Sequence, residues 1–265
     1  METDLIKKHK TFFTLNQGIP SPEIYHTFDQ LLGLQLITGI TGDILEIGVL
    51  QGATIAFLAT SLAEKERAFL IDPYQNLNHI KDVIATFAQV NLEQILCFPF
   101  DSKIMAKRHA HFLGNYYPSF RFIHIDGEHS YDAVYSDINL AYKYLGEGGL
   151  IVLDDIFSLA SPCCTHAMFD YLKDNPNLHS VAMGFNKAYL CESKYVNTYR
   201  KFFINLPELL ENEADLHIRL CFNSWAYERS YVSFHRVAKN EPKYQVINKM
   251  FTSLEELIDY LDLNV

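Results

Sequence analysis

Two groups of residues stand out as able to do chemistry: Asp126-Gly-Glu-His-Ser-Tyr131 and the tandem pair Asp154-Asp155. Each follows a short apolar run, at 121–126 and 148–154, of the kind that forms a buried strand. If those strands are neighbours, Asp126, Asp154 and Asp155 converge over one edge of a sheet. Three carboxylates together repel unless positive charge lies between them, and an all-oxygen donor set favours a hard cation such as Mg²⁺ or Ca²⁺. A cation there lowers the pKa of a bound hydroxyl and yields an oxyanion nucleophile near neutral pH. His129 lies three residues after Asp126, and a histidine, whose side chain ordinarily changes charge near neutral pH, could take the hydroxyl proton. The same residues have plainer readings. Asp155 could cap a short helix, His129 could be a structural histidine packed by Tyr131, and an Asp pair without metal could hold an amino group.

The other strand-like runs also end in acids. The first ends Glu46-Ile-Gly-Val-Leu-Gln-Gly52, the second at Asp72 and the third at Phe100-Asp-Ser102. Gly48 and Gly52 permit a tight strand-to-helix turn with close backbone approach to a ligand. The G-x-G-x-x-G pattern that seats a pyrophosphate is absent. S-adenosylmethionine carries a ribose diol, an amino group and a sulfonium but no phosphate, and a turn ringed by acids suits it. Asp72 would accept hydrogen bonds from both ribose hydroxyls, and Glu46 would help orient the methionine end. Against this, Glu46 could simply cap the next helix, and Asp72 before Pro73 could be a turn former.

Over roughly 41–192 the chain resembles the class I S-adenosylmethionine-dependent methyltransferases: Glu46-x-Gly48-x-x-x-Gly52 looks like their first motif and Asp72 like their ribose acid. The resemblance places Asp101 and Ser102 near the adenine and Asp126 at the border of the cofactor. The later acids resemble two metal-dependent groups. One is the catechol and caffeoyl-CoA O-methyltransferases. The other, closer in the wording Ile125-Asp-Gly-x-His-x-Tyr131, is a bacterial set acting on macrolide sugars, aminocoumarins and similar natural products. This implies Mg²⁺ held by Asp126, Asp154 and Asp155, and O-methylation of a small hydroxylated molecule. It also adds Glu128 to His129 as a candidate base, because some sugar methyltransferases use a carboxylate two residues after the metal Asp; the sequence does not choose between them. Neither the catechol-type lysine base nor Asn at the second position of the acidic pair is present, so catechol-like substrate preference is not implied. The rival readings are a metal-independent methyltransferase, a hydroxylase-like relative on the same fold, and a non-catalytic cofactor-binding module.

The elements that must position these residues alternate. Strand-like runs at 43–48, 68–72, 95–100, 121–126 and 148–154 are interleaved with helical stretches at 52–62, 79–90, 103–112, 131–145 and 166–173. That rhythm predicts an α/β fold, a Rossmann-like, doubly wound, mostly parallel sheet with right-handed connections. Runs at 180–184 and 188–191, flanking Asn186-Lys187, suggest a hairpin that closes the sheet with one antiparallel strand. Three parts follow: a helical N-terminal extension at 1–40, the cofactor domain at 41–192, and a C-terminal extension at 193–265 serving as substrate cap or oligomer contact. Within the last part, 218–222 and 231–237 read as strands and 252–261 as a helix capped by Thr252 or Ser253; the rest resists placement.

Composition sets the outer bounds. The chain has 265 residues, 49% hydrophobic and 20% charged, which suits a folded domain with a large core. Its net charge of -10 leaves no basic footprint for nucleic acid, so the expected partner is a small-molecule substrate, with self-association through the tail as an option. Neither a secretory leader nor an apolar run of about 18 residues is visible, so no membrane partner is expected. The five cysteines are odd in number and lack a C-x-x-C pair, which suggests reduced thiols in the cytoplasm. Cys163-Cys164 reads as packing and Lys107-Arg108 as a solvated helix face. Trp225, Tyr227 and Tyr231 read as core, or as lining of a pocket or dimer face.

Overall fold

The five apolar runs become five adjacent parallel strands: β1 (Asp43–Ile47), β2 (Ala68–Ile71), β3 (Ile95–Phe98), β4 (Phe120–Ile125) and β5 (Leu145–Leu153). The structure is a computed structural model and describes residues 4–13, 21–224 and 231–261. The strands are apolar at nearly every position because both faces of the sheet are covered. Ile44, Leu70, Phe122 and Val152 point into one core, whereas Leu45, Phe69, Ile123 and Ile151 point into the other. The first core is roofed by α1 (Asp4–Phe13), α2 (Pro22–Ile37), α3 (Ala53–Ala59), α4 (Leu77–Ala88) and α9 (Val196–Ala214). The second is covered by α5 (Ser102–Lys107), α6 (His109–Leu113), α7 (Tyr131–Lys143) and α8 (Pro162–Asp174). Strand order reverses between β1 and β4, the switch point at which ligands bind in doubly wound sheets.

The closing hairpin forms as expected from β6 (Leu178–Gly184) and β7 (Lys187–Glu192), and β7 inserts between β5 and β6, antiparallel to both. Its turn falls on Phe185 and Asn186, with φ of 52° and 64°. Two consecutive positive φ values are the geometry of a two-residue hairpin turn. The turn therefore lies one residue earlier than Asn186-Lys187 suggested, and Lys187 becomes the first residue of β7.

The C-terminal extension holds more order than its sequence suggests. Helix α9 is followed by β8 (Ile218–Phe222), β9 (Val232–Arg236), β10 (Tyr244–Val246), β11 (Lys249–Phe251) and α10 (Leu254–Leu261). β9 pairs in parallel with Met183 and Gly184 of β6, so the extension prolongs the sheet. Among the described residues the sheet has eleven strands, in the order β11-β10-β8-β9-β6-β7-β5-β4-β1-β2-β3. Pro207 lies inside α9, where sequence reasoning expects a break; the helix tolerates it with Tyr199, Phe203, Leu206 and Leu210 buried against the core.

Smaller boundary differences have local causes. The helix expected over 131–145 stops at Lys143, and β5 already begins at Leu145 across a register shift opposite Phe120 and Phe122. α8 starts at Pro162, where a missing N–H leaves no helical bond unmade. The stretch 103–112 divides into two short helices. In α10, Ser253 Oγ accepts from Glu256 N at 3.2 Å while Glu256 Oε2 accepts from Ser253 N at 3.4 Å, a reciprocal cap. Trp225 and Tyr227 lie outside the described residues, as does Pro20; the Tyr231 ring packs edge-on against Phe169.

α1 is fastened to α3, the helix that follows the glycine turn. The His9 ring stacks on Phe13 and meets Tyr25, Phe57 and Phe87, and its Nε2–H donates to the Ala53 carbonyl at 2.6 Å. Burial pulls the His9 pKa down to about 4 despite that bond. Because the folded value lies below the unfolded value of about 6.5, the unfolded chain binds the extra proton first. The contribution of neutral His9 is complete above about pH 6.5 and is lost as pH falls toward 4, on the order of 3 kcal/mol in all. Urea unfolding at stepped pH should show this acid slope, and His9→Phe should flatten it; an identical slope in the variant would assign the acid sensitivity elsewhere.

Candidate active site

At the end of β1 the backbone turns through Gly48, with φ of +80°. A Cβ there would collide with the carbonyl of Asp126, so the first turn and the end of β4 touch backbone to backbone. Gly52, also at φ +80°, caps α3 and packs on Ile80 and Ile84 rather than lining the ligand cavity. Asp72 ties the turn together. Its Oδ2 accepts from Val49 N at 2.9 Å and Leu50 N at 3.3 Å, and its Oδ1 from Tyr74 N at 2.8 Å and Gln75 N at 3.2 Å. These four contacts are the turn-forming role expected for Asp72.

A cavity of about 430 Å³ opens over this switch point. Its wall includes Gly48, Asp72, Asp101, Ser102, Asp126, Glu128 and His129, so seven of the candidate residues share one space. Asp101 caps α5 by accepting from Lys103 N at 2.7 Å, which leaves Ser102 buried at the cavity floor. Beneath it, Asp137 of α7 is pushed up to about 7 by burial, with Ser102 as its polar neighbour.

Glu46 sits behind the cavity, not in it. Its Oε1 lies 2.9 Å from Nδ1 of His124, its register partner on β4. Burial, then the charge of Asp126, raises the Glu46 pKa well above the carboxylate range, while burial and Lys187 lower His124 to about 3. Both shifts run toward the uncharged forms, so the contact is that of a buried hydrogen-bonded pair rather than of an ion pair. His124 Nε2 is buried without a partner, 3.9 Å from Asp154 Oδ2.

The three aspartates do not meet at one point. Donor atoms of His124, Asp126 and Asp154 lie within 4.8 Å of one another, and so do those of Asp126, His129 and Asp155. Asp126 is shared. Asp155 adopts φ +58° and turns its side chain toward His129, whose Nε2 stands 2.9 Å from Asp155 Oδ2 and 3.8 Å from Asp126 Oδ1. His129 Nδ1 is 3.0 Å from Ser161 Oγ. Tyr131 does not pack this histidine; its hydroxyl donates to Asp170 and its ring stacks near Tyr135. Burial and the charges of Asp154 and Asp155 push Asp126 up to about 7. Burial also works against the Asp154 charge, but Lys187 and His124 outweigh it and hold that carboxyl below its usual range.

Glu128, also on the cavity wall, pairs with Lys103 at 2.6 Å, and that hydrogen bond holds its carboxyl below the usual range.

Residues 45–156 match a family model described as a methyltransferase domain. With their mostly parallel sheet and flanking helices, these residues have a Rossmann-like methyltransferase fold. Solved structures similar to the chain include the calicheamicin methyltransferase CalS11 (15% identity, 70% of this chain and 91% of that one, TM-score 0.50) and the O-methyltransferase NovP (14% identity, 65% and 80%, TM-score 0.54). A third is the MycE methyltransferase of the mycinamycin pathway, solved with Mg and SAH (17% identity, 72% and 55%, TM-score 0.51). At these identities the likeness concerns the fold. Among curated proteins, the uncharacterized protein R132 of Acanthamoeba polyphaga mimivirus is 58% identical over 31 residues, 12% of this chain and 14% of that protein. No helix among the described residues is long and apolar enough to cross a membrane.

Sequence reasoning missed three residues at this candidate site. Lys187 was placed in a turn, although a lysine opening the apolar run Ala-Tyr-Leu-Cys is itself unusual. His124 stands in an otherwise apolar stretch of β4, and Ser161 precedes the helix-starting Pro162. Because a Cβ at Gly48 has nowhere to go, Gly48→Ala should lower the melting temperature by at least several degrees and weaken cofactor affinity more than tenfold. A variant that melts and binds like wild type would show that the turn can open away from Asp126.

Proposed function

We propose that the chain transfers the methyl group of S-adenosylmethionine to a hydroxyl oxygen of a small hydroxylated molecule of sugar or natural-product type. The observation that carries this reading is His129, on the wall of the cavity beside the first motif and Asp72, with Asp155 Oδ2 2.9 Å from its Nε2. In it, Gly48 lets the cofactor approach the backbone, and Asp101 and Ser102 border the adenine. Asp72 takes the ribose diol in exchange for its two longer amide contacts, to Leu50 and Gln75. Glu46 supports the turn from behind.

In the transfer the acceptor oxygen attacks the methyl carbon, the carbon–sulfur bond breaks with its electron pair going to sulfur, and the sulfonium becomes a neutral thioether. The hydroxyl proton goes to His129. With Nε2–H donating to Asp155, the accepting nitrogen is Nδ1, now partnered by Ser161. Asp155 stabilises the imidazolium that results. The cavity holds acceptor and methyl group in line, which accounts for much of the rate such sites achieve.

Two clusters of possible donors that share Asp126 support a bound Mg²⁺, and the MycE structure contains Mg. Asp126 and Asp155 would hold it, and Asp154, which belongs to the other cluster, would have to turn toward them to serve as third donor. When bound, such a cation supplies charge that lowers the pKa of the acceptor hydroxyl. Metal-independent transfer is the second reading, favoured by the Lys187 ammonium that already pairs with Asp154. All five cysteines are free, which suits the reducing cytoplasm.

Calorimetric titration with S-adenosylmethionine, followed by mass-spectrometric screening of hydroxylated acceptors, tests the proposal. Micromolar binding and a methylated product are expected, and His129→Gln should cut turnover about 10²–10⁴-fold with cofactor affinity unchanged. Absence of cofactor binding would sink the reading. Full turnover in the histidine variant would remove His129 as base.

A further inference from the structure

We propose that Lys187 is a tethered counter-cation of the acidic cluster, which a divalent ion must displace from Asp154 in order to bind. The inference rests on the metal-assisted form of the function proposed above. Lys187 is 2% exposed, and its ammonium is paired with Asp154 Oδ2. It sits at the tip of the β6–β7 hairpin, where its backbone is fixed opposite Gly184 and the next residue, Ala188, opposite Leu153. Its neighbour Asn186 donates from Nδ2 to Asp155 Oδ1 at 2.8 Å, and Ile156 N donates to the Asn186 carbonyl at 2.9 Å. One hairpin tip therefore engages both members of the acidic pair.

The oxygen that Lys187 engages is the one a metal would need. Asp154 Oδ1 accepts from the amide of Asp155 at 2.8 Å, and Oδ2 faces the ammonium and the buried, partnerless Nε2 of His124. A divalent ion and an ammonium cannot share one carboxylate oxygen in a desolvated site, because like charges at contact distance repel strongly where water does not screen them. The lysine also offsets the charge of Asp154, because leaving a buried carboxylate unpaired is costly. Lys187 thus sets how tightly this cluster takes a metal, and it does so by competition at Asp154.

Mn²⁺ titration of the full-length protein by calorimetry tests the idea. Lys187→Met should bind Mn²⁺ at least tenfold more tightly than wild type, and Lys187→Arg should match wild type. Mn²⁺ should also raise the melting temperature of Lys187→Met more than that of wild type, because the ion replaces the missing charge. Lys187→Gln offers the same comparison if the methionine variant does not fold. In wild type, saturating Mn²⁺ should speed modification of Lys187 by a small amine reagent, read by peptide mass. Equal affinity in wild type and Lys187→Met, or unchanged Lys187 reactivity at saturation, overturns the proposal. Absence of Mn²⁺ binding in every form overturns it too, and removes the metal from the proposed function while leaving the cofactor titration to stand alone.

Discussion

Negative charge collects at the carboxyl ends of the parallel strands, and the local structure of the site is the set of ways in which that charge is answered. The carboxylate of Asp72 is surrounded by four main-chain amides. Burial pushes Glu46 toward its protonated form beside His124. Asp154 meets an ammonium, Asp155 meets an amide and an imidazole, and Glu128 meets Lys103. Asp126 lies between the two trios and is the acid whose charge these partners compensate least, as its displacement toward neutrality reflects. A cationic group arriving in the cavity meets that residue first.

The two faces of the sheet contribute differently. Side chains that alternate toward the α2 and α9 side carry the buried polar line Glu46, His124 and Asp154, embedded among Tyr25, Phe28 and Tyr189. The loops at the strand ends carry the exposed chemistry of Asp126, His129 and Asp155. Burial fixes the first set in protonation and orientation; the second set remains accessible to an acceptor. Such a division lets a rigid interior aim a wetter exterior.

Much of this was legible in the chain itself. Continuous apolar runs ending in acids revealed the five parallel strands, because a sheet covered on both faces leaves no room for polar alternation. The glycine spacing and Asp72 revealed the turn for the same local reason: only short-range geometry is involved. The site was less legible where long-range packing decides. That Asp154 and Asp155 point to different trios depends on one positive φ, and that Lys187 reaches Asp154 depends on a turn shifted by one residue. Neither is written in residue type. α9 was hidden by Pro207 and by a polar face, and β10 and β11 by their shortness; β8 and β9 were legible as strands, but their place is set by the edge of β6, which no local window contains.

The insertion of β7 between β5 and β6 has a consequence for the order of events during synthesis. Asp154 emerges 33 residues before the lysine that neutralises it, and Asp155 emerges 31 residues before Asn186. Until the hairpin is complete, β5 is the open edge of the sheet, and the acidic pair at its end has neither Lys187 nor Asn186 beside it. Pairing of β7 with β5 covers that edge and brings both partners to the acids, so strand pairing and electrostatic attraction favour the same placement of the hairpin.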